Sequence, residues 1–263
     1  MADIPDDQTV NAAGIPAATV VVFRNAAQPG PPEILMVIRS RQLRFAGGAT
    51  VFPGGRVDPA DYALADNLGH DLDRDEAAHR IAAIRETLEE TGLAIGMKEP
   101  VSASQASKAR AMALSCGALA PVLDAMGWTA QLDTVVPFAR WFPKNEKLSR
   151  VFDTRFYLHD LGTGAVDLTV DETENTRLFW TTAAGALEAA DRGDIDIIYP
   201  TRRNLERLAQ FPNFSAARAQ AEAIPVRTII PFQTEEHGAR WIRIANDAGY
   251  PVTGERIDSA RRE

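Results

Sequence analysis

The stretch that most limits what this chain can fold into is EAAHRIAAIRETLEETG, residues 76–92. Ala77, Ile81, Ile84 and Leu88 recur three or four residues apart, which at 3.6 residues per turn predicts one apolar face of a helix. Gly92 follows, placed to end the helix in a left-handed cap. On the rest of the cylinder Glu86, Glu89 and Glu90 fall within an arc of ~100° and form one acidic wall. Like charges at that spacing cost a solvated helix about 0.2–0.5 kcal/mol per pair, so the arrangement gains the helix nothing. In an acidic chain such a cluster is ordinarily a wet face. A chemical role needs support from the surrounding residues.

The chain has 263 residues, 45% of them hydrophobic, which is ample for a packed core. Its formal net charge of −8 works against non-specific binding to nucleic acid or to an anionic membrane surface, since both need basic patches. A phosphate-bearing ligand would then need a metal ion or a local arginine cluster. Cys116 is the only cysteine, so no internal disulfide can form; it reads as a small buried residue of a chain in a reducing compartment. The opening MADIPDDQTV is acidic and lacks an apolar centre, and no apolar run approaches the ~20 residues that span a bilayer. The expected compartment is the cytoplasm.

Along the chain, TVVVF (19–23) and EILMVIRS (33–40) predict two strands divided by the turn-rich NAAQPGPP, and ATVFPGG predicts a short strand entering a Pro-Gly-Gly loop. DPADYALADNLGHDLDRD is rich in Asp, without clear periodicity, and reads as an insertion. The alanine-rich segment 102–126, interrupted at Pro121, predicts two short helices and offers a lid over a substrate. Strands follow at RVFDTRFYLHD and NTRLFW, helices at AAGALEAADRG, TRRNLERLAQF and SAARAQAEAI, and a last strand at VRTIIPF. Without regular β-α alternation this predicts a mixed sheet with helices on its faces, an α/β fold of the α+β type. The expected organisation is a frayed terminus at 1–15, one domain over 16–257 with insertions near 58–75 and 98–136, and a tail at 258–263. Trp141 and Trp180 are expected in the core. His70, His79, His159 and His237 show no ligand spacing.

The run Arg85-Glu86-Thr87-Leu88-Glu89-Glu90-Thr91-Gly92-Leu93 resembles R-E-U-x-E-E-x-G-U, the second half of the Nudix box, with U a bulky apolar residue and Thr87 the one departure. The first half of that box, G-x5-E-x7, should begin 14 residues before the arginine, whereas Gly55 stands 30 before it; sixteen residues are inserted. Counted back from Arg85, the first glutamate of the box falls on Ala77, with Glu76 as its neighbouring substitute. Upstream, IRSRQLRFAGGATVFPGG resembles the signature of coenzyme A diphosphatases of the Nudix superfamily, R-S-x-x-L-R-x-H-x-G-Q-V-x-F-P-G-G. Arg39, Ser40, Leu43, Arg44, Gly48, Phe52, Pro53, Gly54 and Gly55 coincide with it; Ala46, Ala49 and Thr50 do not.

The resemblance implies a Nudix-like α/β/α sandwich and a hydrolase of a small-molecule diphosphate. It implies Mg²⁺ or Mn²⁺ held by Glu86 and Glu90, Glu89 as a further ligand or water-orienting group, and Arg85 as the ion-pair partner that fixes a glutamate. Gly54 and Gly55 would let the backbone turn sharply beside that helix. Arg39, Arg41 and Arg44 would contact substrate phosphates, because guanidinium pairs bidentately with them. Glu174, or Glu172 in its place, would serve as an extra ligand or general base. Physical chemistry supports the link: a diphosphate repels an incoming nucleophile, and Mg²⁺, which takes carboxylate oxygens, waters and phosphates, neutralises that charge. Coenzyme A or an acyl derivative is the leading substrate, with ADP-ribose or another nucleoside diphosphate derivative as the alternative. A nucleotide sensor without turnover is a third reading, and a homodimer is compatible with all three.

Overall fold

Ala18, Val20 and Val22 alternate with Val21 and Phe23 along the first strand, and because successive side chains of a strand point to opposite faces, the two sets join two separate cores. A strand apolar on both faces has to be covered on both. The computed structural model of the chain describes residues 14–25, 30–40, 46–143, 151–162 and 175–258. In order these form β1 (Ile15–Arg24), β2 (Glu33–Arg39), β3 (Thr50–Val51), β4 (Gly54–Arg56), α1 (Pro59–Asn67), α2 (Arg74–Thr91), α3 (Ala103–Cys116), α4 (Ala120–Met126), β5 (Val136–Trp141) and β6 (Phe152–Asp160). There follow β7 (Asn175–Thr182), α5 (Ala183–Arg192), α6 (Tyr199–Leu208), α7 (Phe214–Ala223), β8 (Thr228–Ile229), β9 (Phe232–Glu236), β10 (Ala239–Arg243) and β11 (Gly254–Arg256).

The main sheet runs β3-β2-β1-β6-β5-β8, with β4 also on β1 and β7 also on β2. Strands β1 and β6 are parallel, as are β5 and β8, while the other pairs are antiparallel, so the sheet is mixed as expected. Helices α2, α3 and α4 bury one face together with Tyr157; α5, α6 and α7 bury the other together with Phe156 and Leu158. The result is the α/β/α sandwich. Alanines 77, 78, 82 and 83 of α2 are fully buried, and their small side chains let this helix lie close to both the sheet and its neighbours. Asp73 caps its first turn by accepting from the Asp75 amide at 2.8 Å, and Gly92 ends it at φ 77°.

Several expectations change. The Asp-rich segment after Gly55 is not irregular: Asp58 and Pro59 start α1, and Pro at the first helical position costs no hydrogen bond. Gly117, not Pro121, ends α3, because Gly adopts the left-handed cap at φ 62°; Pro121 instead opens α4. Ala109, Ala113, Val122 and Leu123 of these two helices are buried in the core shared with α2. Cys116, expected inside, is exposed at the end of α3. VRTIIPF divides between β8 of the main sheet and β9 of a second, three-stranded sheet ordered β11-β10-β9. The C-terminal part is tied to the main body through Tyr250, whose hydroxyl accepts from Trp141 Nε1 at 2.9 Å and donates to Asn204 Oδ1 at 2.6 Å. Trp141 is buried as expected, whereas Trp180 is only partly so, with the Arg24 guanidinium 4.3 Å from its ring centroid. Among the described residues no helix is long and apolar enough to cross a membrane.

His79 and His159 are both buried, and burial pushes both imidazoles below their ordinary pKa. Their Nδ1 atoms face the carbonyls of Asp75 at 2.7 Å and Thr134 at 3.2 Å. The unfolded chain therefore binds protons that the folded one refuses below the unfolded value of about 6.5, so stability is full above that pH and is lost as pH falls toward the folded values. Each histidine contributes a slope of at most about 1.4 kcal/mol per pH unit. Buried Glu86, whose pKa is raised, works in the opposite direction over this range, so the contribution is read from the variant: in urea denaturation between pH 7.5 and pH 5.5, acidification should cost His159→Gln less stability than it costs the unmodified protein. An unchanged slope in the variant would refute the assignment.

Candidate active site

The glutamate wall of α2 is built around one buried guanidinium. Arg85, 2% exposed, sends Nη1 to Glu86 Oε1 at 2.9 Å and to Glu89 Oε2 at 3.2 Å. Its other side is gripped by Asp61 of α1, with Nε on Oδ1 at 3.0 Å and Nη2 on Oδ2 at 2.8 Å, while Nη2 also reaches the Arg56 carbonyl at 2.9 Å. Asp61 is 1% exposed and accepts the Asp58 amide at 2.9 Å. Burial works against the charge of Arg85, yet the hydrogen bond to Asp61 and the nearby Glu86 and Glu89 raise its pKa overall.

Glu90 is held separately. Its Oε2 accepts the Gly54 amide at 3.0 Å, and its Oε1 accepts Asn175 Nδ2 at 3.1 Å. Gly54 and Gly55 earn their places by close approach. A Cβ on Gly54 would overlap the Ala18 carbonyl and Thr19, where β4 pairs with β1; one on Gly55 would overlap the Glu86 carboxylate. Thr87, the polar departure from the Nudix box, is fully buried without penalty because its hydroxyl donates to the Ala83 carbonyl at 2.7 Å. Arg110 of α3 donates to the Glu89 carbonyl at 2.9 Å and pins the helix from behind.

Burial pushes the Glu86 carboxyl up to about 8, with Arg85 opposing and Glu90 and Glu89 reinforcing the shift. Glu89 is raised as well, chiefly by burial and against Arg85. Its Oε1 is buried and has no partner among the described residues. Divalent metal ions are general among Nudix hydrolases, and the donor chemistry here fits one: oxygen ligands only, mutual repulsion that a cation would relieve, and an orphaned carboxylate oxygen. Among the described residues no three His, Cys, Asp or Glu side chains form a ready-made metal cluster. That is compatible with Mg²⁺, which usually takes only one or two protein carboxylates and completes its shell with waters and substrate phosphates.

Of the other expected site residues, Arg39 ends β2 opposite Asn175 and lines a pocket that also includes Gly54. Arg41, Arg44, Glu172 and Glu174 lie outside the described residues. Glu76 does not complete the Nudix box: it is engaged by Arg80 at 2.8 Å, Arg155 at 2.7 Å and Tyr157 at 3.3 Å. The acidic partner of Arg85 is Asp61, and counting forward from Gly55 through G-x5 lands on it, a signal hidden when the count is taken back from Arg85 across the insertion. Asn175 carried no local signal. It reaches Glu90 only because β7 pairs with β2.

Residues 14–146 match the family described as NUDIX domain. A crystal structure of a NUDIX hydrolase from Alicyclobacillus acidocaldarius is similar over 78% of this chain and 96% of its own, at 28% identity and a TM-score of 0.65. An Ap4A hydrolase from C. elegans in a binary complex (20% identity, 67% of this chain and 86% of its own, TM-score 0.37) and the NUDIX domain of Shewanella oneidensis NrtR complexed with ADP ribose (12%, 74% and 85%, 0.41) are more distant. A comparison with curated proteins finds no match. The chain belongs to the NUDIX domain family and is a Nudix hydrolase, of a class that acts on nucleoside diphosphate derivatives.

Asp61→Ala should leave the buried Arg85 charge partly uncompensated. Breaking a buried pair costs roughly 3–5 kcal/mol, and the low end is expected because Glu86 and Glu89 remain. A loss below about 1 kcal/mol in urea denaturation, the ordinary range for an exposed pair, would show that the pair is not the anchor described.

Proposed function

We propose that the chain hydrolyses the diphosphate of coenzyme A or its acyl derivatives, releasing a phosphopantetheine species and adenosine 3′,5′-bisphosphate. The observation that carries the hydrolytic reading is the row of half-buried Glu86 and Glu89 and buried Glu90, held against Gly54 and Gly55 by Arg85 and Asn175. In this reading Glu86, Glu89 and Glu90 hold Mg²⁺ or Mn²⁺, which when bound neutralises the diphosphate and makes water acidic enough to attack. Arg85 fixes the directions of Glu86 and Glu89, and the Gly54 amide and Asn175 fix Glu90, so the carboxylates are oriented before substrate arrives. A carboxylate accepts the proton of the attacking water while the bridging P–O bond breaks; Glu89 and Glu174 are the candidates. Arg39 and Arg44 neutralise substrate phosphates.

The coenzyme A assignment rests on the resemblance of Arg39 to Gly55 to the diphosphatase signature. Ala46, Ala49 and Thr50, which depart from it, favour ADP-ribose or another nucleoside diphosphate derivative as the second reading. A sensor without turnover would have no need to keep all three glutamates.

A coupled phosphate-release assay with Mg²⁺ or Mn²⁺ should show coenzyme A compounds turned over faster than ADP-ribose and dinucleotides, and chelation should abolish the rate. Cleavage of ADP-ribose alone would select the second reading. Glu90→Gln should lower kcat by about 100-fold or more with little change in unfolding midpoint, since groups that hold or orient a metal commonly carry effects of that size. Near-normal turnover in that variant would remove Glu90 from the metal site.

A further inference from the structure

Beside the Glu90 corner lies a pocket of whose lining only Arg39 and Gly54 have a part in the chemistry proposed above. Gly54, which donates to Glu90, forms part of it, as does Arg39, whose strand partner Asn175 is the other Glu90 donor. The pocket therefore shares Gly54 with the glutamate corner, although its aromatic wall lies on the sheet face opposite α2. Its volume is about 110 Å³, far above the roughly 10–15 Å³ that a single water requires. One side is aromatic: Phe52, Trp141, Phe152 and Phe156. Phe52 and Phe156 meet edge to face at 6.5 Å and 88°, and Trp141 is clamped by its hydrogen bond to Tyr250 and by edge contacts with Tyr199 and Tyr250 at 5.9 and 5.7 Å. These walls are fixed before any ligand arrives.

The opposite side is the first turn of α6 and the residue before it, Ile198, Pro200 and Thr201. This helix lies beyond residues 14–146, the segment that defines the family. Ala46 lines the rim in a left-handed backbone conformation, φ 49°, which a residue with a Cβ keeps only where its surroundings impose it. Among the described lining residues the side-chain polar groups are Arg39 and the hydroxyls of Thr19, Thr154 and Thr201, with no Asn, Gln, Asp or Glu. Recognition of a nucleobase edge relies on amide, carboxylate or guanidinium groups that match its donors and acceptors. Among the described lining residues Arg39 alone offers such a group, and it pairs with Asn175, which holds Glu90, where phosphate lies in the reading above.

We propose that this pocket is a specificity subsite for a hydrocarbon group carried by the diphosphate substrate, formed between the aromatic sheet face and the N-terminal turn of α6. The proposal rests on the diphosphate-hydrolase reading for what the hydrocarbon is attached to, and on the pocket's own walls for the rest. Burying each methylene in such a site raises affinity by up to about fourfold.

The test is a series of coenzyme A thioesters of increasing straight-chain length, with free coenzyme A, ADP-ribose and GDP-linked sugars as chainless controls. Both kcat/KM with Mg²⁺ and calorimetric binding to the metal-free protein are measured. The expected result is a rise of roughly two- to fourfold per added methylene until the pocket is full. Thr154→Phe, which fills the pocket from β6, should abolish that rise in both readouts, and Phe152→Ala should move the plateau to longer chains. Binding that rises with chain length while no diphosphate is cleaved would refute the hydrolase reading and uphold the pocket. Cleavage of the diphosphates with neither rate nor binding depending on chain length would overturn the pocket and leave hydrolysis standing. A preference among nucleobases without any for chain length would assign the pocket to a base and also overturn the proposal. The wild-type series decides even if a variant fails to fold.

Discussion

One buried guanidinium makes the acidic helix possible. Glu86 and Glu89 stand next to each other on a wall where burial already disfavours their charge, and a solvated helix would simply let them point into water. Arg85 holds both, and Asp61 holds Arg85, so a cluster that would otherwise relax outward is fixed in direction. An isolated charge at 2% exposure would be prohibitive; this one is surrounded by carboxylates and a backbone carbonyl. The carboxylates on either side differ in kind. Asp61 is closed off, paired and structural, whereas Glu89 keeps an oxygen with no partner among the described residues.

That cluster dictates what the surrounding fold must do. α1 exists in the position where a shorter loop would have served, because Asp61 has to be delivered to Arg85 from a rigid element; its own amide contact with Asp58 supplies the rigidity. The tight pairing of β4 with β1 leaves no room for a side chain at residue 54, and the Glu86 carboxylate leaves none at residue 55, so that backbone and carboxylates come together. On the far side of the same glycine pair, the sheet face and the C-terminal helices enclose apolar space next to charged space. A hydrolase that must hold two chemically unlike halves of one substrate has a use for that adjacency.

The parts of this arrangement differ in how far they could be read from the chain alone. The α2 helix, its cap at Gly92 and the acidic wall follow from spacing within a few residues, and local spacing is what helical geometry converts directly into a face. The strands at the N-terminus were legible for the same reason, since β-branched runs between turn residues have few alternatives. α1 was hidden because its composition is mostly polar and its buried residues, Asp61 and Ala65, make no apolar stripe. The exposure of Cys116 and the division of VRTIIPF between two sheets depended on which neighbour covered which edge.

The sequence by itself determined the fold class, the acidic helix and the family, because each is carried by residues close together in the chain. Only the tertiary structure decided which groups hold that helix's glutamates: Asp61 meets Arg85 from 24 residues away and Asn175 meets Glu90 from 85 away. The pocket, closed by α6 against strands laid down far earlier, belongs to the same category. Contacts of that separation are set by sheet pairing and by packing of whole elements, and only Asp61, six residues after Gly55, leaves a trace in the local pattern.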